Sequence, residues 1–418
     1  MIKAITGTKD ILPSEISKWH FLEDLVRKIF NRYNYLEIRT PIFEQTALFA
    51  RGIGEETDIV SKEMYSMIDR GGTSITLKPE MTAGVVRSFI EHSLGEKNSL
   101  NKLYYISPMF RQERPQAGRL RQFHQFGAEA LGSTSPFLDA EMIEMAFIIF
   151  KQLGLKDLIV KINSLGTPQA REVYKNELRK FLSDKKDRLT DESKTRLEKN
   201  IMRILDSKAE QDQEVLLSAP SLFDYLDQSS LDDFEVVKNY LSSLNIPYQV
   251  EPKLVRGLDY YTKTTFEIIS QKVGAQSSLC GGGRYDLLVE ELGGKPTPGV
   301  GFAAGMERIL LACENENVLN LQERQLDIFI VRLDKELNYK VAEVASFLRN
   351  NDLVVEYDYL NRSVKAQMRE ANRLNSKFVL FLGGDEFKRG EVVLKNLTDG
   401  SQANLELNKL SEIKSRVK

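Results

Sequence analysis

Apolar positions near the N-terminus repeat first at helical and then at strand spacing. Ile16, Trp19, Leu22, Leu25, Val26, Ile29, Phe30 and Tyr33 recur every three to four residues. That spacing predicts one amphipathic helix, opened by Pro13-Ser14, with Ser14 placed to cap its first turn. Short strand-like runs follow at Leu36-Glu37-Ile38, ending at Thr40-Pro41, and at Ser74-Ile75-Thr76-Leu77 after the Gly71-Gly72 turn. From Leu103 to Leu131 the pattern is strand, loop, strand, with Arg114 to Arg119 as the exposed loop. An apolar helix over 138–152 and a strand at Leu158–Ile162 come next. Paired strands separated by helices favour an antiparallel α+β sheet over a doubly wound one.

The pattern changes twice more. Residues from about 167 to 246 read as helical and strongly charged, an inserted module within a sheet domain spanning 1–325. Strand-like, Gly-rich sequence returns from about 250 to 310. From Gln325 strands and helices alternate: strands at 327–331, 354–357, 378–382 and 391–394, helices at 335–350 and 362–375. This rhythm predicts a separate α/β domain over 326–418 with a largely parallel sheet.

Composition narrows the field. The chain has 418 residues with 42% hydrophobic and 28% charged residues, which is ordinary for a globular protein of two to three domains. The formal net charge of −2 argues against coating nucleic acid by bulk electrostatics, though not against local basic patches. Residues 171–203 hold eleven Lys/Arg against seven Asp/Glu, whereas 206–235 hold one against nine. Cys280 and Cys313 cannot form a disulfide framework or a four-cysteine zinc site. His20, His92 and His124 have no metal-binding spacing, so no metal site of the protein's own is expected. No apolar run approaches a membrane span, and the N-terminus lacks a signal peptide's apolar core. The expected location is the cytoplasm, with no membrane partner.

The densest chemical signal lies between Phe110 and Glu129. Four arginines, Arg111, Arg114, Arg119 and Arg121, fall within eleven residues around a loop carrying Pro115 and Gly118. Guanidinium forks suit phosphate and carboxylate oxygens. In the strand that follows, alternation puts Phe123, Gln125, Gly127 and Glu129 on one face. An aromatic plane, an amide, a gap and a carboxylate in a row make a recess for a polar, cationic small molecule. Two further clusters are Arg256-Gly257-Leu258-Asp259-Tyr260-Tyr261 and Gly281-Gly282-Gly283-Arg284-Tyr285, the latter with three glycines that permit close backbone approach. Gly299 to Leu310 reads as a Gly-rich strand running into a helix. Neither the dinucleotide fingerprint nor a P-loop is present.

These residues together resemble the class II aminoacyl-tRNA synthetases, and within them the histidyl-tRNA synthetase family. The resemblance covers the opening Gly7-Thr8-Lys9-Asp10 and a first class motif ending at Thr40-Pro41. It continues through a second motif from Phe110 to Glu129 and a third from Gly301 to Arg308. The two clusters at 256–261 and 281–285 are similar to the histidine-specific motifs. Met81 departs from the pattern, which usually has glycine there. The resemblance implies an antiparallel-sheet catalytic domain with a helical insertion and a C-terminal α/β anticodon-binding domain. It implies activation of L-histidine by ATP, with Mg2+ arriving on the ATP phosphates, and transfer to the 3′ end of tRNA(His). Arg256, Arg111 and Arg308 would be catalytic; Arg111, Glu113, Arg119, Phe123 and Arg308 would bind ATP. Glu80, Thr82, Arg111, Gln125, Glu129, Arg256, Tyr260 and Tyr261 would bind histidine. A homodimer through the first motif is also implied.

Contacts with tRNA are expected from Arg114 and Gln116 in the loop. Arg362, Lys365, Arg369 and Arg373, with Lys377, recur every three to four residues and read as one basic helix face; the basic half of the insertion is a second candidate. Two rival readings keep the fold but not the chemistry. One is an inert paralogue that regulates ATP phosphoribosyltransferase; the other is a pseudo-synthetase that senses uncharged tRNA. The intact arginines 111, 119, 256 and 308 and the C-terminal domain weigh against the first, and the lack of a kinase-like region against the second.

Overall fold

The N-terminal apolar stripe folds as the helix Ile16–Arg32, burying Trp19, Leu22, Val26, Ile29 and Phe30. Ser14 does not cap it. Glu15 holds the cap position without a side-chain bond, and the chain enters through a turn in which the Glu15 and Ile16 amides both donate to the Leu12 carbonyl. The computed structural model describes residues 1–54, 57–270, 278–319, 321 and 325–417. Part of the Gly-rich run expected over 250–310, residues 271–277, therefore lies outside the described residues. The chain divides into two compact units, Met1–Asn320 and Leu321–Lys418.

In the first unit the strands are β1 (Leu36–Glu37), β2 (Phe43–Gln45), β3 (Tyr65–Ile68), β4 (Ser74–Leu77), β5 (Asn101–Phe110), β6 (Gln122–Leu131), β7 (Leu158–Ser164), β8 (Tyr248–Val250), β9 (Thr262–Ser270), β10 (Ser278–Arg284) and β11 (Gly299–Gly305). Eight of them form one sheet in the order β1-β5-β6-β11-β10-β9-β7-β8, and β2-β4-β3 form a small second sheet. The large sheet is antiparallel through its centre, with parallel pairs only at the edges, β1–β5 and β7–β8. One face carries the main core. There Phe126, Ala128 and Ala130 of β6 join Val300, Phe302 and Ala304 of β11 beneath the helices Ile16–Arg32, Pro136–Gln152 and Met306–Asn315. The alternate β6 residues, Phe123, Gln125, Gly127 and Glu129, consequently share the opposite face, as strand parity predicts.

The insertion forms the helices Pro168–Ser183, Asp191–Lys199 and Glu210–Leu216. The buried Asp212 carboxylate ties it together, accepting from the Thr190 amide and hydroxyl and from the Ser193 and Ser207 hydroxyls at 2.6–2.8 Å. The charge pattern assigns the next helix, Gln228–Ser243, to the same module. Its Phe234, Val237 and Leu241 instead pack into the main core beside Phe150 and Val160.

The second unit holds β12 (Leu326–Arg332), β13 (Val355–Tyr357), β14 (Ser376–Leu382), β15 (Glu391–Asn396) and β16 (Gln402–Glu406), in the order β13-β12-β14-β15-β16. The expected largely parallel sheet is in fact mixed. β12 pairs in parallel with β13 and β14, while β14–β15 and β15–β16 are antiparallel. The links after β14 and β15 are too short for a crossover, so the chain must turn back. Apolar periodicity does not reveal β16, because its residues are mostly polar and solvent-facing. The two faces of β12 are both covered. Ile328 and Ile330 pack with Val341 and Val344 of the helix Asn338–Asn350, and Phe329 and Val331 with Ala371 of the helix Val364–Arg373.

Candidate active site

The face of the large sheet opposite the main core opens into a cavity of about 320 Å3. Nearly all the residues expected to bind histidine or ATP line it: Glu80, Thr82, Arg111, Glu113, Arg119, Phe123, Gln125, Arg256, Tyr260, Tyr261 and Arg308. Glu129 does not. Its carboxylate sits just behind the wall, where the Thr82 hydroxyl donates to Oε1 at 2.7 Å and the Tyr285 hydroxyl donates to Oε2. The Tyr105 hydroxyl adds a longer contact at 3.4 Å. Burial pushes the Glu129 carboxyl up to about 8, against the lowering effect of the Tyr285 and Thr82 hydrogen bonds.

Glu80 lies close by, at the start of the helix Thr82–Glu91. Its oxygens accept from the Thr82 and Ala83 amides at 2.7 and 2.9 Å, so the free N-terminal amides hold the carboxylate in place. Burial nevertheless raises its pKa overall. The Gln125 side-chain oxygen is buried without a hydrogen-bond partner. A buried orphan acceptor aimed into a cavity is costly unless a ligand donor meets it. Tyr260 and Tyr261 pack with ring centroids 4.7 Å apart on the adjoining wall. Met81 is buried against Val85, Tyr105 and Met109, with a φ of −110° that needs no glycine.

The arginines gather at the other end. Arg111 Nε donates to the Pro79 carbonyl at 2.9 Å, and its guanidinium lies 5.4 Å from the centre of the Phe123 ring. Arg119 pairs with Glu113 at 2.8 Å. Arg308 donates to the Ser278 carbonyl at 2.8 Å; burial, together with Arg119 and Arg111 nearby, lowers its pKa. Arg256 pairs with Glu267 at 3.2 Å, and its Nε is buried and unpartnered. Glu267 stands opposite Gly281 in the β9–β10 register. A Cβ on Gly281 would lie 2.0 Å from Arg256 Nη2, so only glycine leaves room for the guanidinium.

Three contributors escape sequence reasoning. Tyr285 stands out there only as the end of a glycine motif. Tyr105 reaches Glu129 because β5 and β6 pair Tyr105 with Gly127, where a side chain would collide with its hydroxyl. Glu267 sits in a plain strand sequence that gives no signal. Arg284, in the same motif as Tyr285, faces away from the cavity and forms a buried ion pair with Asp139.

Of the residues expected at tRNA, Arg114 and Gln116 are exposed in the loop between β5 and β6. In the second unit the continuous basic helix face does not form as predicted. Arg362 precedes the helix, which Ser363 caps, and is held by Asp358 and Glu370. Arg373 pairs with Glu370, and Lys377 lies in β14 paired with Asp327. Lys365 and Arg369 remain exposed.

An antiparallel sheet floored by a Gly-rich strand that runs into a helix, with arginines converging over it, defines the catalytic fold of a class II aminoacyl-tRNA synthetase. Family models agree: "Histidyl-tRNA synthetase" matches residues 7–309 and "Anticodon binding domain" residues 327–415. A histidine–tRNA ligase of Halothermothrix orenii is 48% identical over 411 residues, covering 98% of each chain. One of a Geobacillus species is 49% identical over 96% of each. The crystal structure of apo histidyl-tRNA synthetase of Staphylococcus aureus superposes with a TM-score of 0.85 at 40% identity, covering 99% of this chain and 100% of that one. The chain belongs to the histidyl-tRNA synthetase family.

Proposed function

We propose that the chain is an active histidine–tRNA ligase, which forms histidyl-adenylate from L-histidine and ATP and passes the histidyl group to the 3′ end of tRNA(His). The observation that carries this reading is a cavity that joins an acidic, amide-bearing recess to four converging arginines. In the first step a histidine carboxylate oxygen bonds to the α-phosphorus of ATP, and the bond from that phosphorus to the pyrophosphate oxygen breaks. Two anions must meet there, so fixed cations stabilise the transition state. Arg111 and Arg256 hold the α-phosphate, Arg119 and Arg308 the outer phosphates, and Phe123 the adenine, with Glu113 near its amino group. Glu80, Thr82 and Gln125 receive the substrate's α-ammonium. Glu129, with Tyr260 and Tyr261, reads the imidazole, exchanging one of its present donors for a ring N–H. In the second step a ribose hydroxyl of the terminal adenosine attacks the histidyl carbonyl, and AMP leaves.

Magnesium enters with ATP in this reading. Among the described residues no three His, Cys, Asp or Glu side chains gather as a metal site. The carboxylates Glu113 and Glu267 at the cavity are each already paired with an arginine, which suits an ion held mainly by phosphate oxygens. Its charge would offset that of the outer phosphates. Arg114 and Gln116 lie near the acceptor end, and Lys365 and Arg369 at the anticodon side, with Arg362 and Arg373 taking part if tRNA displaces their carboxylate partners. A homodimer through the first motif is supported by the exposed Leu36 and by the exposed Ile42 and Phe43 that directly follow the motif. No helix among the described residues is long and apolar enough to cross a membrane, and the cytoplasm is the compartment in which we place the enzyme.

Histidine-dependent ATP–pyrophosphate exchange on the purified chain, followed by charging of tRNA(His), tests this. Both activities are expected. An absence of exchange would favour the regulatory-paralogue reading. The fold of a Bacillus halodurans ATP phosphoribosyltransferase regulatory subunit/histidyl-tRNA synthetase matches with a TM-score of 0.67 at 22% identity, so the sheet alone does not separate the two.

A further inference from the structure

The loop from Leu254 to Tyr261 carries both Arg256 and the Tyr260-Tyr261 pair, yet few of its bonds go to the sheet. Asn163 donates to the Leu254 carbonyl at 2.9 Å where the loop begins, and β9 starts at Thr262. Between these points the Asp259 amide donates to the Ile53 carbonyl at 3.2 Å and Arg256 pairs with Glu267 of β9, and the helical insertion supplies the remaining side-chain bonds. Arg171 Nη1 donates to the Tyr261 carbonyl at 2.6 Å. Asn200 Nδ2 donates to both Asp259 carboxylate oxygens at 3.1 and 3.0 Å. Val255, Tyr260 and Tyr261 also pack into an apolar cluster with Tyr174, Leu178 and Ile201 of the insertion. Beside that cluster lies a cavity of about 210 Å3 lined by Arg171, Asn200, Arg203, Arg256 and Asp259 among others, and on this side polar bonds hold the loop.

Arg171 is poorly suited to its own helix. It stands one turn after the Thr167 cap of Pro168–Ser183, where the helix dipole disfavours a cation. Burial pulls its pKa down as well. A residue that breaks a local rule in this way needs an offsetting contact elsewhere, and the buried carbonyl of Tyr261 is that contact. Tyr261 is only 5% exposed, so its carbonyl depends on this donor.

We propose that Arg171, assisted by Asn200, is a positioning residue for the amino-acid site: the insertion fixes the loop that presents Tyr261 to the imidazole, and so takes part in histidine recognition. The proposal rests on the synthetase reading above. It places the binding effect on histidine, since the ATP contacts of Arg119, Phe123 and Arg308 lie on other elements; Arg256, on the same loop, would add a loss in kcat.

Full-length wild type, Arg171→Ala, Arg171→Lys and Asn200→Ala are to be compared by ATP–pyrophosphate exchange, with KM measured separately for histidine and ATP. Arg171→Ala is expected to raise the histidine KM about tenfold or more, the loss that follows removal of a hydrogen bond from a charged donor. The ATP KM is expected to stay within about twofold. Arg171→Lys, which keeps a cationic donor, should recover most of the loss, and Asn200→Ala should shift the histidine KM in the same direction by less. A merely structural role would lower the active fraction, and hence kcat, with both KM values unchanged; that result overturns the proposal. If Arg171→Ala does not fold, an unchanged histidine KM in Asn200→Ala overturns it equally. A wild type without exchange sinks the synthetase reading, and the proposal with it; an active wild type beside variants whose histidine KM is unchanged sinks the proposal alone.

Discussion

The Thr82 hydroxyl donates to Glu129 Oε1 at 2.7 Å across the wall of the cavity. This bond joins the first residue of the helix Thr82–Glu91 to the last polar position on the cavity face of β6. It occupies the acceptor that an imidazole N–H would use, and it offsets only part of the rise in pKa that burial imposes on Glu129.

Histidine recognition should therefore respond to pH. With its pKa near 8, the Glu129 carboxyl is mostly protonated in the free protein at pH 7, when free imidazole is already mostly neutral. A protonated carboxyl is a poorer acceptor for a ring N–H, so histidine should bind better as pH rises from 7 to 8.5 and the carboxylate forms. The histidine KM in pyrophosphate exchange is expected to fall several-fold over that interval. In Glu129→Gln it should be raised throughout and flat with pH. A wild-type profile as flat as the variant's would remove Glu129 from the imidazole site.

Tyr285→Phe isolates one of the bonds that stabilise the charged form. Loss of the hydroxyl removes a hydrogen bond to Glu129 Oε2, which normally lowers that pKa. The inflection in the histidine KM should therefore move to higher pH. At pH 7.5 the variant is expected to lose about 1.5–3 kcal/mol in histidine recognition, the range for a hydrogen bond to a charged group. Titration of the KM in parallel with wild type measures both, and an unmoved inflection counts against the bond.

Much of this site is legible from sequence because it follows simple periods. The two-residue period of β6 puts Gln125 and Glu129 on one face, and the arginines from 111 to 121 crowd a short loop. The parts that escape such reading depend on register and on partners brought from afar. Tyr285 and Tyr105 reach Glu129 only because their strands pair as they do. Nothing in the local spacing shows that Arg362 falls outside the helix, that Lys377 falls in a strand, or that Asp358, Glu370 and Asp327 take up their charge. Likewise the charge of residues 228–243 suggests an insertion, while Phe234, Val237 and Leu241 set where the helix packs. The direction of β15 rests on the short link before it, which periodicity does not report.

Gly281→Ala is a steric test of Arg256. The added Cβ would come within 2.0–2.5 Å of three guanidinium atoms, so the side chain must move away from Glu267 and the cavity wall. A displacement of about 1 Å at a reacting centre can cost about 100-fold in rate. Exchange kcat is expected to drop by at least that order, with thermal stability close to wild type because the guanidinium has open cavity to move into. Retained kcat would show that Arg256 does not act on the α-phosphate.

In the second unit, Lys365 and Arg369 lie one turn apart on the helix Val364–Arg373 and are exposed, whereas Arg362 and Arg373 are already held by Asp358 and Glu370. If the helix meets the tRNA backbone, the exposed pair should dominate the binding. Removing one cation that neutralises a phosphate lowers the slope of log K against log salt by about one unit. Lys365→Ala/Arg369→Ala is therefore expected to weaken tRNA(His) binding and reduce that slope by about two units. Arg362→Ala should change it less, because its charge is already compensated within the chain. Pyrophosphate exchange, which needs no tRNA, should be the same in all of them. A double variant with an unchanged salt slope would place the tRNA interface on another face of this unit.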